Sequence, residues 1–350
     1  MSEPTTSSAG DVATASTAPP PAGKSNRTGL QRMMSGSVGR NLGLVLALLA
    51  LVVVGAITAG ESFTTFSNAL VILRQASIIG VISIGMTLVI IAGGIDLSVG
   101  SVMGLASIVA TLAAIQDLAD QTHWIVMIVI ALLVGLAAGL INGVVIAYGN
   151  VVAFMATLAM LVAARGLAEI LAERRTLIVG DRGFISFMNS DIIGVDILIW
   201  IFAIVAALGW VLLNRTTFGR RTVAIGGNRE AARLAGINVK RHTMWLYALA
   251  GLSAGIAGVM ILGRTTAGSS THGQLYELDA IAAVVVGGTL LIGGRGTITG
   301  TVFGVLIFAT LTNVFVQNNL SSSVQAVAKG VIIVIAVLLQ QRFARPAGRE

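Results

Sequence analysis

Cysteine is absent from the 350 residues. Disulfides and thiolate-ligated metal sites are therefore excluded, and the redox compartment leaves no trace in the chain. Proline is nearly absent: none of the five prolines lies between Ala22 and Ala344. Any break inside an apolar run must then come from glycine. Charge is scarce as well, at 11% of residues against 55% hydrophobic, with a mean hydropathy of +0.92. Soluble domains carry about 25% charged residues. This chain has too little polar surface to face water all round, which excludes an ordinary soluble enzyme. What it has in quantity is glycine. The 42 glycines sit inside apolar runs and follow no period of three, so collagen-like and disordered classes are excluded too.

Residues 1–40 read as a polar, basic cytoplasmic tail. Residues 1–28 are rich in Ser, Thr, Ala and Pro, include Pro19-Pro20-Pro21, and cannot bury enough apolar surface to offset chain entropy. A polar stretch of this length ahead of the first apolar run does not match a secretory signal. Gly23-Lys24-Ser25 imitates the end of a phosphate-binding loop, but Ala18 stands where that motif needs glycine. A transmembrane domain over 41–341 and a short cytoplasmic tail over 342–350 complete the organisation.

A membrane span needs about 20 residues. That ruler gives ten candidate spans: 42–59, 69–92, 97–115, 124–147, 151–171, 196–213, 243–263, 279–293, 297–316 and 324–340. The fold class is all-α, a polytopic transmembrane helix bundle of about ten spans. Most of the 22 basic residues fall in the N-terminal tail, in loop 214–242, at Arg295 and in the C-terminal tail. Acids such as Glu61, Asp117, Asp120, Asp181, Asp191 and Glu277 lie on the other side. Basic loops stay inside, which puts both termini and loop 214–242 in the cytoplasm. The pI near 10.7 is thus a topology signal and calls for no nucleic acid.

Gly135, Gly139 and Gly143 recur every four residues, as do Gly296, Gly300 and Gly304, and Gly251 with Gly255. In lipid this spacing lets helix backbones approach closely. Residues 93–105, GGIDLSVGSVMGL, are echoed at an offset of 200 by GGRGTITGTVFGV at 293–305. The echo points to an internal duplication whose glycine breaks line a transport pathway, either parallel or inverted. The pathway or helix-break positions are Gly93, Gly94, Asp96, Ser98, Asn142, Glu277, Asp279, Gly293 and Gly294. Asp96 fits either an N-cap or a substrate contact, and Glu277 and Asp279 invite the same pair of readings.

Loop 214–242 carries TTFGRRTVAIGGNREAARLAGINVKRH. It reads as a basic turn followed by a short helix from Asn228, an N-cap, to a stop at Gly236. The apolar positions Ala231, Ala232, Leu234 and Ala235 make it either a surface connector or a docking helix for a cytoplasmic partner. Arg165 and Glu169 are spaced for an ion pair. Arg74 is placed to snorkel, Lys329 to pair or face an aqueous cavity, and the four tryptophans to form interfacial belts. Gly251-Leu-Ser-Ala-Gly255 matches a nucleophile-elbow pattern. Its serine has no base on a neighbouring span, and small-residue packing accounts for it better. Gly294-Arg-Gly296 lacks the acidic residue that a dinucleotide loop requires.

From about Leu42 to Gln340 the chain resembles the membrane permease subunit of bacterial ribose-type ABC importers. The resemblance rests on GGIDLSVGS (93–101), GLINGVVIA (139–147), ATLAMLVAARGLA (156–168), TTFGRRTVAIGGNREAARLAGI (216–237) and YELDAIAAVVVGGTLLIGGRGT (276–297). It implies import of a monosaccharide across the inner membrane by a homodimer of permeases. Two cytoplasmic ATP-binding subunits and an extracytoplasmic sugar-binding protein would complete the assembly. ATP would be hydrolysed by the partner, so this chain is expected to be no enzyme and to hold no cofactor. Gly226, Asn228, Arg229, Glu230, Ala231, Ala232, Arg233 and Gly236 match the loop that contacts the ATPase. Two departures stand out: Val152-Ala153-Phe154 and Ser270-Thr271-His272 occupy places where the family often has proline. An ion-coupled secondary transporter of a small polar solute is the alternative reading, with Asp96 as nearly its only titratable group inside the membrane.

Overall fold

Among the described residues, seven helices start at a side chain that accepts an amide proton. Thr65, Asp181, Asp196, Thr216, Asn228, Asn238 and Thr297 each accept from a backbone N–H two or three residues ahead. Each satisfies one of the free amides of a first turn. The computed structural model describes residues 37–344. The expected tails, 1–40 and 342–350, lie outside these residues apart from 37–40 and 342–344, which are helical.

The helices are α1 (Ser37–Ala59), α2 (Glu61–Thr64), α3 (Phe66–Ile91), α4 (Val99–Ala110), α5 (Ala113–Gln121), α6 (Ile125–Ala147), α7 (Ala153–Leu171), α8 (Arg182–Met188), α9 (Ile197–Arg215), α10 (Thr217–Gly227), α11 (Arg229–Leu234), α12 (Val239–Thr265), α13 (Tyr276–Val286), α14 (Ile298–Gln317) and α15 (Ser322–Ala344). Two short antiparallel ladders join them. Leu177–Ile178 (β1) pairs with Ala267–Gly268 (β4), and Asp191–Ile192 (β2) pairs with Val195–Asp196 (β3).

Among the described residues, seven helices are long and apolar enough to cross a membrane: α1, α3, α6, α7, α9, α12 and α14. The number rises to eight if α4 and α5, bent by 56°, count as one span. The expectation of about ten was therefore high. The run 97–115 holds α4, of 12 residues, and the run 279–293 holds most of α13, of 11 residues. Helices of this length rise roughly 18 Å, short of a ~30 Å hydrocarbon core. Hydropathy cannot tell a short helix joined to irregular apolar chain from a full span. The run 324–340 lies within α15.

The core is built around α12, the most buried of the spanning helices. Its glycines mesh with those of α6, as the spacing predicts. A methyl group on Gly139 would overlap the Tyr247 carbonyl, and one on Gly251 would overlap the Gly135 carbonyl. Gly300 and Gly304 bring α14 onto Gly287 and Ala283 in the same way. Gly296 precedes that helix and is not part of its stripe. Ser253 donates to the Leu249 carbonyl of its own helix at 2.9 Å and abuts Gly85 of α3, so it is a packing residue.

Lys329 of α15 pairs with Asp279 of α13 at 3.1 Å, and both border a cavity of about 120 Å³ between α3, α13, α14 and α15. Removing one partner of a shielded pair leaves an uncompensated charge, whereas replacing both by apolar groups can be neutral. Lys329→Met is therefore expected to lower stability by ~1–3 kcal/mol, less than for a fully buried pair because both groups keep some water. Lys329→Met combined with Asp279→Leu should recover most of that loss, as read by thermal unfolding in detergent.

Candidate coupling junction and helix breaks

One end of the bundle carries the basic segment 216–242, here called the basic end. That segment is more ordered than a turn. Thr216 caps α10, and α10 turns Thr222 and Ile225 inward. Thr222 Oγ1 lies 2.8 Å from His242 Nε2, and the Phe218 and His242 rings are 4.2 Å apart. Sequence reading missed this helix; the signal was Thr216 followed by Phe218, Thr222 and Ile225 at helical spacing. The next helix, α11, follows the expected plan. Asn228 Oδ1 accepts from the Ala231 amide at 2.9 Å, and Gly236 ends the turn at φ +81°. Ala232 packs inward with Ile225, Ile237 and Val239. The outer side presents Leu234, 76% exposed, beside an ion pair of Glu230 with Arg233 at 2.6 Å. The hydrogen-bonded guanidinium holds the Glu230 carboxyl below its ordinary range. An apolar residue held out beside a charged pair is what a docking helix offers.

The two echoed glycine segments meet at this end. The Gly294 amide donates to the Ile91 carbonyl, the last residue of α3, at 2.8 Å. Gly93, Gly293 and Gly294 have φ of +82°, +88° and +78°, a region that glycine alone enters at no steric cost. Gly226, near the end of α10, completes the junction. A methyl group there would overlap the Ile91 carbonyl and lie 2.5 Å from the Gly294 amide. The basic hairpin and both breaks are thus in backbone contact. From the junction the two echoed segments run the same way: Gly104 reaches the carbonyls of 270 and 272, while Gly304 reaches Ala283.

Between the first break and α4, Asp96 is fully enclosed. Its Oδ1 accepts from the Ser98 amide at 2.9 Å and the Ser98 hydroxyl at 2.6 Å, and Asn142 of α6 donates to that hydroxyl at 2.9 Å. Ser98, not Asp96, is the N-cap residue. Asp96 does bind a free amide there, but from two positions upstream. Glu277 and Asp279 cap nothing: they lie in the first turn of α13, whose N-cap is Leu275. Glu277 is buried against Gly100, with Oε2 lacking a hydrogen-bond partner, and Asp279 holds Lys329. Of the predicted positions, Asp96, Ser98 and Asn142 form one network, and Gly93, Gly226, Gly293 and Gly294 form another. Glu277 and Asp279 belong to neither.

At the far end, Arg165 does not pair with Glu169. It donates to the carbonyls of Ser270 and His272, the latter at 2.8 Å, while Glu169 takes Arg174 at 3.3 Å. An (i, i+4) spacing fixes proximity, but two carbonyls of the loop between β4 and α13 offered a better-shielded partner. Arg74 pairs with Asp196 at 2.9 Å. His272 stands 3.3 Å from the Ser107 hydroxyl, and burial, aided by the Arg165 charge, pushes its pKa down to about 4. Its folded-state pKa lies below the unfolded value of 6.5, so the unfolded state binds more protons between those values. The anchored loop is therefore expected to loosen as pH falls from 6.5 towards 4. Protease nicking within 266–275 should rise between pH 7 and 5 and become flat with His272→Asn.

A bundle of apolar helices broken by glycines, with a capped hairpin on the breaks, is the architecture of a multi-pass membrane protein. Residues 68–338 match the family described as branched-chain amino acid transport system, permease component, and the chain belongs to that family. Among curated relatives it is similar to the ribose import permease protein of Haemophilus influenzae, 39% identical over 307 residues covering 86% of this chain and 94% of the relative. It is likewise similar to the ribose import permease protein of Bacillus subtilis, 40% identical over 318 residues covering 90% and 97%. The xylose transport system permease protein of Escherichia coli K12 is 32% identical over 363 residues covering 86% and 92%. No solved structure matches.

Proposed function

We propose that this chain is the transmembrane permease subunit of an ATP-driven importer of a monosaccharide, ribose or a related sugar, in the bacterial inner membrane. Its two most similar named relatives above are ribose permeases matched over more than nine-tenths of their length. The basic end faces the cytoplasm by the distribution of Lys and Arg, and both termini lie there. A separate ATP-binding subunit docks on α10 and α11, an extracytoplasmic sugar-binding protein delivers substrate at the far end, and two permeases assemble around the path.

The observation that carries this reading is the junction at Gly226. A force applied to the basic hairpin reaches the end of α3 and the Gly293–Gly294 break through main-chain contact, with no flexible side chain between. Rocking of the short helices α4 and α13 about these breaks would then alternate access. The chain's own residues transmit motion and shape the path, and the ATPase chemistry resides in the partner.

The test is sugar uptake into proteoliposomes with and without the ATP-binding subunit and the binding protein, then with Glu230→Arg and Arg233→Glu together. Uptake requiring ATP and both partners, with hydrolysis uncoupled from transport in the double variant, is the expected result. Sugar movement by the lone chain down an ion gradient would overturn it in favour of a secondary transporter.

A further inference from the structure

At the basic end, where α10 meets the start of α12, the surface holds a recess of about 390 Å³. Arg221 of α10 and Arg241 of α12 both line it, together with Phe218, Asn238, His242 and Trp245. Neighbouring cations are engaged: Arg215 lies over the Trp210 ring, Lys240 over the Tyr148 ring, and Arg233 on Glu230. Among the described residues, neither the Arg221 nor the Arg241 guanidinium has a hydrogen bond or an ion pair, and no acidic side chain lines the recess. His242 is already held by Thr222. Asn238 Oδ1 accepts from the Arg241 amide at 3.0 Å, which leaves its NH2 group without an acceptor. The polar lining is thus dominated by unmet donors. Two guanidiniums that share one space repel each other unless an anion lies between them.

We infer that this recess binds the phosphate of an anionic phospholipid, whose acyl chains lie against the outer face of α12. The depth is that of the headgroup layer. Trp210, five residues before the end of α9, and Trp245, six residues after the start of α12, are both exposed. Each indole therefore sits roughly 7–9 Å in from its helix end, the belt position of membrane tryptophans. Arg241, Trp245 and Leu249 succeed one another at four-residue spacing, so one face of α12 passes from guanidinium to indole to aliphatic side chain. A phospholipid has the same order: phosphate, glycerol, acyl chain. An acidic protein surface would match the arginines alone, and a free phosphate would leave the tryptophan and leucine unused. Basic pockets between membrane helices on the cytoplasmic side suit anionic headgroups. One phosphate held by both arginines fastens α10 to α12, and so seats the hairpin that carries Gly226 against the breaks. The inference holds whatever solute the chain moves.

The test is binding of dioleoylphosphatidylglycerol to the purified full-length chain in neutral detergent, against dioleoylphosphatidylcholine and inorganic phosphate. Arg221→Gln, Arg241→Gln, the two combined, and Arg220→Gln are compared with the parent chain. Arg220 is an exposed neighbour that does not line the recess. All are surface changes, and thermal unfolding without added lipid checks that each variant is folded. Saturable binding of the anionic lipid is expected, weakened about fivefold by either single change and about thirtyfold by both, the scale of one surface cation each. Arg220→Gln should bind as the parent does. Equal binding of the zwitterionic lipid would reduce the recess to ordinary lipid contact and overturn the inference. So would inorganic phosphate that displaces the lipid at equal concentration, since the site would then take a free anion. Parent-like lipid affinity in the double variant would remove the arginines from any such site. Weakened binding of the ATP-binding subunit in that variant, with lipid affinity intact, would assign the recess to a protein partner instead.

Discussion

Gly226→Ala is expected to cut ATP-driven sugar uptake by roughly 10- to 100-fold, from an overlap costing ~1–3 kcal/mol. The added methyl group meets the Ile91 carbonyl and the Gly294 amide, both main-chain atoms. Neither can swing aside as a side chain would, so the basic hairpin must lift from the two breaks. The neighbouring Gly227 has nothing within 4 Å of the same position. Gly227→Ala is therefore the matched control: same helix, same residue change, no overlap. Uptake rates normalised to reconstituted protein decide the matter. Equal rates for the two variants would remove the junction from the coupling route.

Gly139→Leu should produce the largest loss of folded protein of any change considered, about 3 kcal/mol or more. At Gly139 the backbones of α6 and α12 touch, and α12 is the helix around which the core is built. A branched side chain there forces the pair apart, and the meshing of Gly135 with Gly251 goes with it. Gly166→Ala on α7 meets open space and is expected to leave the unfolding temperature unchanged. Size-exclusion profiles and thermal unfolding in detergent separate the outcomes. A monodisperse Gly139→Leu protein with unchanged melting would show that this contact contributes little.

The helical class was legible because apolar run length and glycine spacing are local properties. The start of α11 at Asn228 and its stop at Gly236 were legible for the same reason, each resting on one side chain or one φ angle. What escaped was non-local. Arg165 has an acid four residues along its own helix, yet its partners are carbonyls about a hundred residues away. Asp279 and Lys329 are fifty residues apart, and nothing in either flank announces their pairing. The echoed glycine segments were visible as text, but their meeting beside Gly226 depends on tertiary packing. The short lengths of α4 and α13 were hidden because irregular apolar chain has the same hydropathy as helix.

The grip of Arg165 on the far-end loop has a consequence for divergence. Its guanidinium reads two main-chain oxygens, those of Ser270 and His272, and main-chain oxygens are common to all twenty amino acids. The exposed Thr271 between them can therefore be exchanged while the loop keeps its anchor. A surface that must suit a changing partner gains evolutionary latitude from such an arrangement, because the fastening and the lettering are carried by different atoms.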